Sequence, residues 1–323
     1  MNKPNYSKPY KTYDQQIELL KSRGLIIDDP DKATKYLAKI GYYRLSGYLY
    51  SFRHIATLNN KPQREDRFLC DVSFSHIVDI YVFDKKLRLI LLDAIERIEI
   101  AVRSRIAYEV GRHDPYDYLN DTLINKNYKT IQRPKETKSK LTVWEEDFER
   151  CLRKSKDEFI RHFKEKYSST SKIPIWISIE IWTFSMISKY FEMLYEHHQK
   201  TIVQDYGVQR PTLLRNWIHN IGDVRNICAH HGRLWNRKFV NSISPPGRDE
   251  IVALGHLLDL PSDSKNKIYP TLCVLIFLMK SIYPKSKWMV RLREHILAFP
   301  EVPHVNFVDM GFPKNWESEQ IWK

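Results

Sequence analysis

Residues Ile77 to Val110 read IVDIYVFDKKLRLILLDAIERIEIAVRSRIAYEV. Within this run Ile80, Phe83, Leu87, Ile90, Leu91, Ala94, Ile98 and Ala101 return every three or four positions. That is the period of a helix that buries one face, and it predicts one long amphipathic helix. The period recurs along a chain with only 10 glycines in 323 residues, so the expected fold class is all-α. Upstream, Thr12 caps a helix through Ile17, Leu19 and Leu20 to Lys21, stopped by Gly24, and Asp29-Pro30-Asp31 opens a second. Downstream, helices are expected over Trp176–Tyr195 (mostly buried), Thr212–His231, Asp249–Leu258, Tyr269–Ile282 and Lys287–Leu297. Ser244-Pro245-Pro246-Gly247 is a break, and Pro300–Lys323 reads as an extended tail packed on the body. The implied division is an N-terminal helical region over 1–75, a helical domain over 76–300 and a tail over 301–323.

Composition narrows the classes of function. With 42% hydrophobic residues the chain can bury a substantial core, and its net charge of +13 suggests an acidic polymer as partner. Cys70, Cys151, Cys228 and Cys273 lie far apart with no C-x2-C pair. Neither a zinc site nor a disulfide framework is indicated, and reduced thiols in a cytoplasmic protein fit best. The first six residues, Met1 to Tyr6, carry no apolar core of a secretion signal. The most apolar run, Cys273 to Met279, is followed by Lys280 and is too short to span a bilayer, so no membrane partner is expected. Between Asp114 and Leu141, Lys126, Lys129, Lys135, Lys138 and Lys140 mark either a solvated loop or a basic lip over a nucleic-acid groove.

The chemistry concentrates in Arg225-Asn226-Ile227-Cys228-Ala229-His230-His231-Gly232-Arg233-Leu234-Trp235-Asn236-Arg237. A histidine can take the proton of a ribose 2′-OH or give one to a leaving 5′-oxygen, and an arginine fork can hold the phosphate between them. Trp217, Ile221, Val224, Cys228, His231 and Trp235 fall at steps of three or four and form one core stripe, which makes His231 either a packed, hydrogen-bonded residue, the reading the stripe favours, or a secondary catalytic one. Asn226 and His230 share the polar face, where Asn226 could fix the His230 ring, and Arg233 and Arg237 continue it toward flanking phosphates. Arg225 is either the phosphate ligand or the partner of a carboxylate such as Asp223. Five residues turn a helix by about 140° and raise it about 7.5 Å, so Arg225 and His230 of one helix converge poorly. Two copies facing across a two-fold axis would pool both pairs, which predicts a homodimer.

The string Arg-Asn-Ile-Cys-Ala-His-His-x-Arg-Leu-Trp-Asn-Arg resembles the Abi-like (AbiD/AbiF) abortive-infection family, and Arg225-Asn226 followed by His230 resembles the signature of HEPN ribonucleases. Val224 stands where Leu is expected. Supporting blocks follow in order: Arg23-Gly24-Leu25-Ile26, Gly41-Tyr42-Tyr43-Arg44-Leu45-Ser46-Gly47-Tyr48, Asp93-Ala94-Ile95-Glu96-Arg97, Pro174-Ile175-Trp176 and Met310-Gly311-Phe312-Pro313. The resemblance implies a HEPN-like helical bundle and a metal-independent endoribonuclease of a phage-defence or toxin–antitoxin system. It also implies a composite dimer site without cofactor, and products ending in a 2′,3′-cyclic phosphate and a 5′-OH. One His230 would act on the 2′-OH and another on the leaving group, with Arg225 stabilising the phosphorane. Glu96 or Arg97, on the neighbouring helix, could line the cleft. RNA is the implied substrate, and a toxic nuclease implies a cognate inhibitor, RNA or protein, which the sequence does not show. The alternative is a non-catalytic helical protein that binds RNA or a phage component. Tyr36, Tyr42, Tyr43, Tyr48, Tyr50 and Phe52, interleaved with Lys39, Arg44 and Arg53, form either helix-packing core or a base-stacking surface with Arg44 on phosphate.

Overall fold

The computed structural model describes residues 5, 7–58, 61–112, 114–132, 134, 136–168 and 171–323. Met1 to Pro4, Tyr6 and Lys135 lie outside them. The chain is predominantly α-helical. It groups into two compact units, residues 1–89 with 292–309, and 90–291 with 310–323.

The first unit holds α1 (Tyr13–Ser22), α2 (Pro30–Ile40), α3 (Tyr42–Leu49), a hairpin of β1 (Arg53–Leu58) and β2 (Lys61–Phe68), and the start of α4 (Phe74–Gly111). Local sequence dictates much of it. Thr12 closes a capping box with Gln15, Asp29 caps α2 ahead of Pro30, and Gly24 takes φ +88 after α1. The antiparallel hairpin was not anticipated. Its β2 strand, with Gln63, Arg64, Glu65, Asp66 and Arg67, shows no apolar alternation to betray it. In the core, Tyr48 OH donates to Asp84 Oδ2 at 2.6 Å, and Arg88 bonds the same carboxylate. Asp84 is fully buried and Arg88 nearly so.

In the second unit α4 continues to Gly111 and is followed by α5 (Lys140–Lys154), α6 (Glu158–Lys166), α7 (Ile175–Ser178), α8 (Phe184–Met193), α9 (Glu196–Gln204) and α10 (Pro211–Ala229). Then come α11 (Ser262–Lys265), α12 (Ile268–Ile282) and α13 (Trp288–Leu297), the last crossing back into the first unit. The helix expected over Trp176–Tyr195 is broken. Trp182 takes extended angles (φ −75, ψ 133) and Thr183 caps α8 by accepting from Met186 N. Packing compensates for the break: the Trp182 ring lies 4.7 Å from Trp144 and 4.9 Å from Tyr190, and its Nε1 donates to Ser178. The segment expected as a helix over Asp249–Leu258 is instead a 3-10 run, Val252–Asp259. The expected extended tail is also a series of 3-10 turns. From Met310 onward it buries Phe312, Trp316, Ile321 and Trp322, and Lys280 Nζ donates to the Ile321 and Lys323 carbonyls.

α10 packs on α8, α9 and α12. Its buried stripe is Leu213, Leu214, Trp217, Ile218, Ile221, Val224 and Cys228. A second, polar stripe fastens the downstream loop. Asn216 bonds Ser242 O and Ser244 N, Asn220 Nδ2 donates to Asn241 O, and Asp223 Oδ2 accepts from Asn241 Nδ2 at 2.6 Å. These residues recur at i, i+4 and i+7, so one helix face holds the whole strap.

Candidate functional site

The end of α10 decides where the motif side chains go. His231 has φ +57; its N–H bonds the Cys228 carbonyl, and Gly232 N–H bonds that of Ile227. This is a Schellman cap, and histidine occupies the left-handed position where glycine is usual. Gly232 follows in close quarters: a Cβ there would meet Ile227 Cγ2 at 3.2 Å and its carbonyl at 3.3 Å, so Ile227 would have to shift by a few tenths of an ångström. The helix therefore stops at Ala229, short of the expected His231.

Three expectations fall with that ending. His231 is exposed rather than packed in the core stripe, which ends at Cys228; Trp235 is buried but from non-helical chain. Arg233 and Arg237 do not continue the helical face of His230, because both lie beyond the cap. Arg233 is half-buried and Arg237 exposed. His230 itself is the exposed cap residue, with φ −89 and ψ 13. Asn226 shares its exposure, but its Oδ1 accepts from Arg225 Nη1 at 3.5 Å.

A cleft of about 810 Å³ opens beside α10 within the second unit. α4 supplies Glu99 and Arg103, the start of α5 supplies Ser139, Lys140 and Val143, and α8 supplies Phe184, Ser188 and Glu192. From α10 come His219, Gly222, Asp223, Arg225 and Asn226. His230 does not line it. The helix α4 does contribute, but through a different pair than expected. Glu96 is exposed and away from the cleft, while Arg97 bonds Asp93 and Ser286 and lies over the Tyr283 ring. Glu99 and Arg103, one turn apart, take the place expected for them.

The cations of the cleft are mostly matched. Arg103 holds Glu99 at 2.9 Å, Glu180 at 3.4 Å and the Trp182 carbonyl at 3.2 Å. Lys138 pairs with Glu146, Lys140 with Glu192 and Lys189 with Asp147. Lys129 pairs with Asp121, so Lys129, Lys138 and Lys140 give little uncompensated charge, while Lys126 is exposed. Arg225 is different. Among the described residues no carboxylate lies within ion-pair distance of it, and Asp223, its expected partner, is taken by Asn241. Burial raises the Glu99 carboxyl above its usual range, against the pull of Arg103 and Arg225. Arg225 is thus a half-buried cation near a carboxylate that burial makes reluctant to ionise.

His219 was missed by the sequence reading. It is exposed, lines the same cleft as Arg225, and sits one turn before Asp223. The i, i+4, i+7 series His219, Asp223, Asn226 was the signal for it. No group of three or more His, Cys, Asp or Glu suited to a metal ion occurs among the described residues. Nor, among them, is any helix long and apolar enough to cross a membrane. Arg44 lies in the first unit, exposed on α3.

The chain belongs to the Abi-like protein family, whose model matches residues 35–236. That match takes in α3, the hairpin, the whole of α4, and α10 with its cap. Membership points to a role in phage defence by abortive infection. Neither a search of curated proteins nor one of solved structures gave a match.

Proposed function

We propose that this Abi-like protein is a HEPN-type, metal-independent endoribonuclease that acts in phage defence or as the toxin of a toxin–antitoxin pair. The observation that carries the reading is Arg225: a cation on the wall of a large cleft, with no carboxylate partner among the described residues. Such a guanidinium suits a phosphodiester, and more so its pentacovalent phosphorane.

The mechanism is an internal transesterification. The ribose 2′-oxygen attacks phosphorus while its proton passes to an imidazole. The bond from phosphorus to the 5′-oxygen breaks, and that oxygen takes a proton. The products are a 2′,3′-cyclic phosphate and a 5′-OH. His230 points from the cap of α10 outside its own cleft, so it serves the cleft of a second copy in a homodimer and takes the 2′ proton there. His219, inside the cleft with Arg225, gives the proton to the 5′-oxygen, a role expected of a second His230. Asn226 steadies Arg225 through their hydrogen bond. A cognate inhibitor, RNA or protein, keeps the enzyme silent until infection.

Brief induction followed by sequencing of RNA ends tests this. New 5′-OH and cyclic-phosphate ends are expected, unaffected by EDTA in vitro and lost in His230→Ala and Arg225→Ala proteins. Cleavage that stops with EDTA or survives His230→Ala overturns the mechanism. RNA bound but never cut would leave only a binding protein.

A further inference from the structure

α3 carries two tyrosines on one face with a glycine between them. Tyr43 and Tyr50 are seven residues apart, and Gly47 sits one turn after Tyr43. Seven residues return to nearly the same side of a helix, roughly 10 Å along its axis. Tyr50 keeps helical angles, φ −59 and ψ −32, so the 3-10 turn that continues α3 preserves this register. Tyr43 is 91% exposed and Tyr50 50%. A Cβ on Gly47 would meet nothing within 4 Å, and its backbone is helical. Neither packing nor conformation requires glycine there, and glycine weakens a helix interior. What it leaves is an open slot between two rings.

The cations beside the slot are fixed in place. Arg64 Nη1 donates to the carbonyls of Ser51 and Arg53 at 3.1 and 3.0 Å, with its guanidinium carbon 5.1 Å from the centre of the Tyr50 ring. Arg53 approaches the same ring at 5.8 Å but pairs with Asp66 at 2.8 Å. No carboxylate pairs with Arg64 among the described residues, so its charge stays uncompensated while backbone acceptors and an aromatic face hold it still. Arg44 is exposed next to Tyr43.

We propose that this face of α3 binds single-stranded nucleic acid, with bases stacked on Tyr43 and Tyr50 and phosphates held by Arg64 and Arg44. A gap of roughly 10 Å between two rings admits about two bases at the roughly 3.4 Å rise of stacked nucleotides. An acidic protein segment would match the arginines but make no use of two exposed rings and an open slot; bases use both. The site rests on the ribonuclease reading only for the choice of RNA over DNA.

Fluorescence anisotropy with the full chain tests it. The probes are labelled 2′-O-methyl oligouridylate and oligodeoxythymidylate of about 12 nucleotides. Neither can be cut by 2′-OH attack, so binding is read whether or not the chain is a nuclease. Tyr43→Ala and Tyr50→Ala should each weaken binding about 5- to 100-fold, with Tyr50→Phe within about twofold of wild type. Gly47→Leu is the sharper variant. It should melt no lower than wild type, because the helix gains propensity and the added Cβ has nothing within 4 Å, yet lose affinity to the same degree. Wild-type affinity in a folded Gly47→Leu protein overturns the proposal, as does equal competition by polyglutamate. Tighter binding of the 2′-O-methyl probe assigns the site to RNA; the reverse assigns it to DNA and separates it from the ribonuclease reading.

Discussion

Mixing two dead variants puts a number on the shared site. Arg225 and His230 lie five residues apart at the end of α10, so about 140° of rotation and 7.5 Å of rise divide them, with Cα atoms roughly 9 Å apart. Their side chains leave the axis in diverging directions, and only Arg225 reaches the cleft. If each cleft combines its own Arg225 and His219 with His230 of a second copy, a heterodimer of Arg225→Ala and His230→Ala chains holds one intact site and one lacking both groups. Equal amounts reassorting at random give about half heterodimers, each with half its sites working. The mixture should then regain about a quarter of wild-type activity, from parents reduced roughly 10²- to 10⁴-fold. The assay is cleavage of a short fluorogenic RNA after co-expression with two affinity tags and purification of the doubly tagged dimer, alongside the unsorted mixture. The doubly tagged species should show about half of wild-type activity. A mixture no more active than its parents refutes the pairing across subunits. So does a chain that is monomeric by light scattering and still cleaves at the full rate.

Three further outcomes follow from named contacts. His219→Ala should slow cleavage of RNA strongly but barely affect a uridine 3′-phosphodiester with a p-nitrophenol leaving group, which needs no protonation; equal loss on both substrates assigns His219 to something else. Glu99 has a carboxyl pKa raised by burial, so its contribution to stability is fully present below the unfolded carboxylate value and is lost as pH rises through the folded value. Urea unfolding across acidic pH should show that decline in wild type and less of it in Glu99→Gln, while Arg225→Ala, removing a cation that holds the pKa down, should move the decline to higher pH. Asp84→Ala leaves Arg88 buried without its carboxylate and should cost about 3–5 kcal/mol in denaturant unfolding, where a loss under about 1 kcal/mol would mean the pair is solvated.

Sequence alone determined the helical class and the position of α4, α10 and α12, because each carries an apolar period long enough to outweigh local ambiguity. It also determined the first two caps, where Thr12 with Gln15 and Asp29 with Pro30 act over three or four residues. The residues of the motif are legible by type, Arg225 among them, and the poor convergence of Arg225 with His230 follows from helix geometry. Tertiary structure decided the rest. The end of α10 carries no glycine in the left-handed position, where histidine stands instead, and that ending is what exposes His231 and removes Arg233 and Arg237 from the helical face. The break at Trp182 is stabilised by rings from distant segments, which no window over Trp176–Tyr195 contains. Which turn of α4 faces the cleft is likewise undecidable from period alone: Glu96 and Glu99 are both polar positions, and it is the bond to the Trp182 carbonyl and the cleft shared with α10 that select Glu99 with Arg103. Periodicity gives an element and its buried face, because those depend on residues within one helix. The groups that meet across a cleft depend on where helices end and which neighbour they touch, and those are set by contacts between residues far apart in the chain.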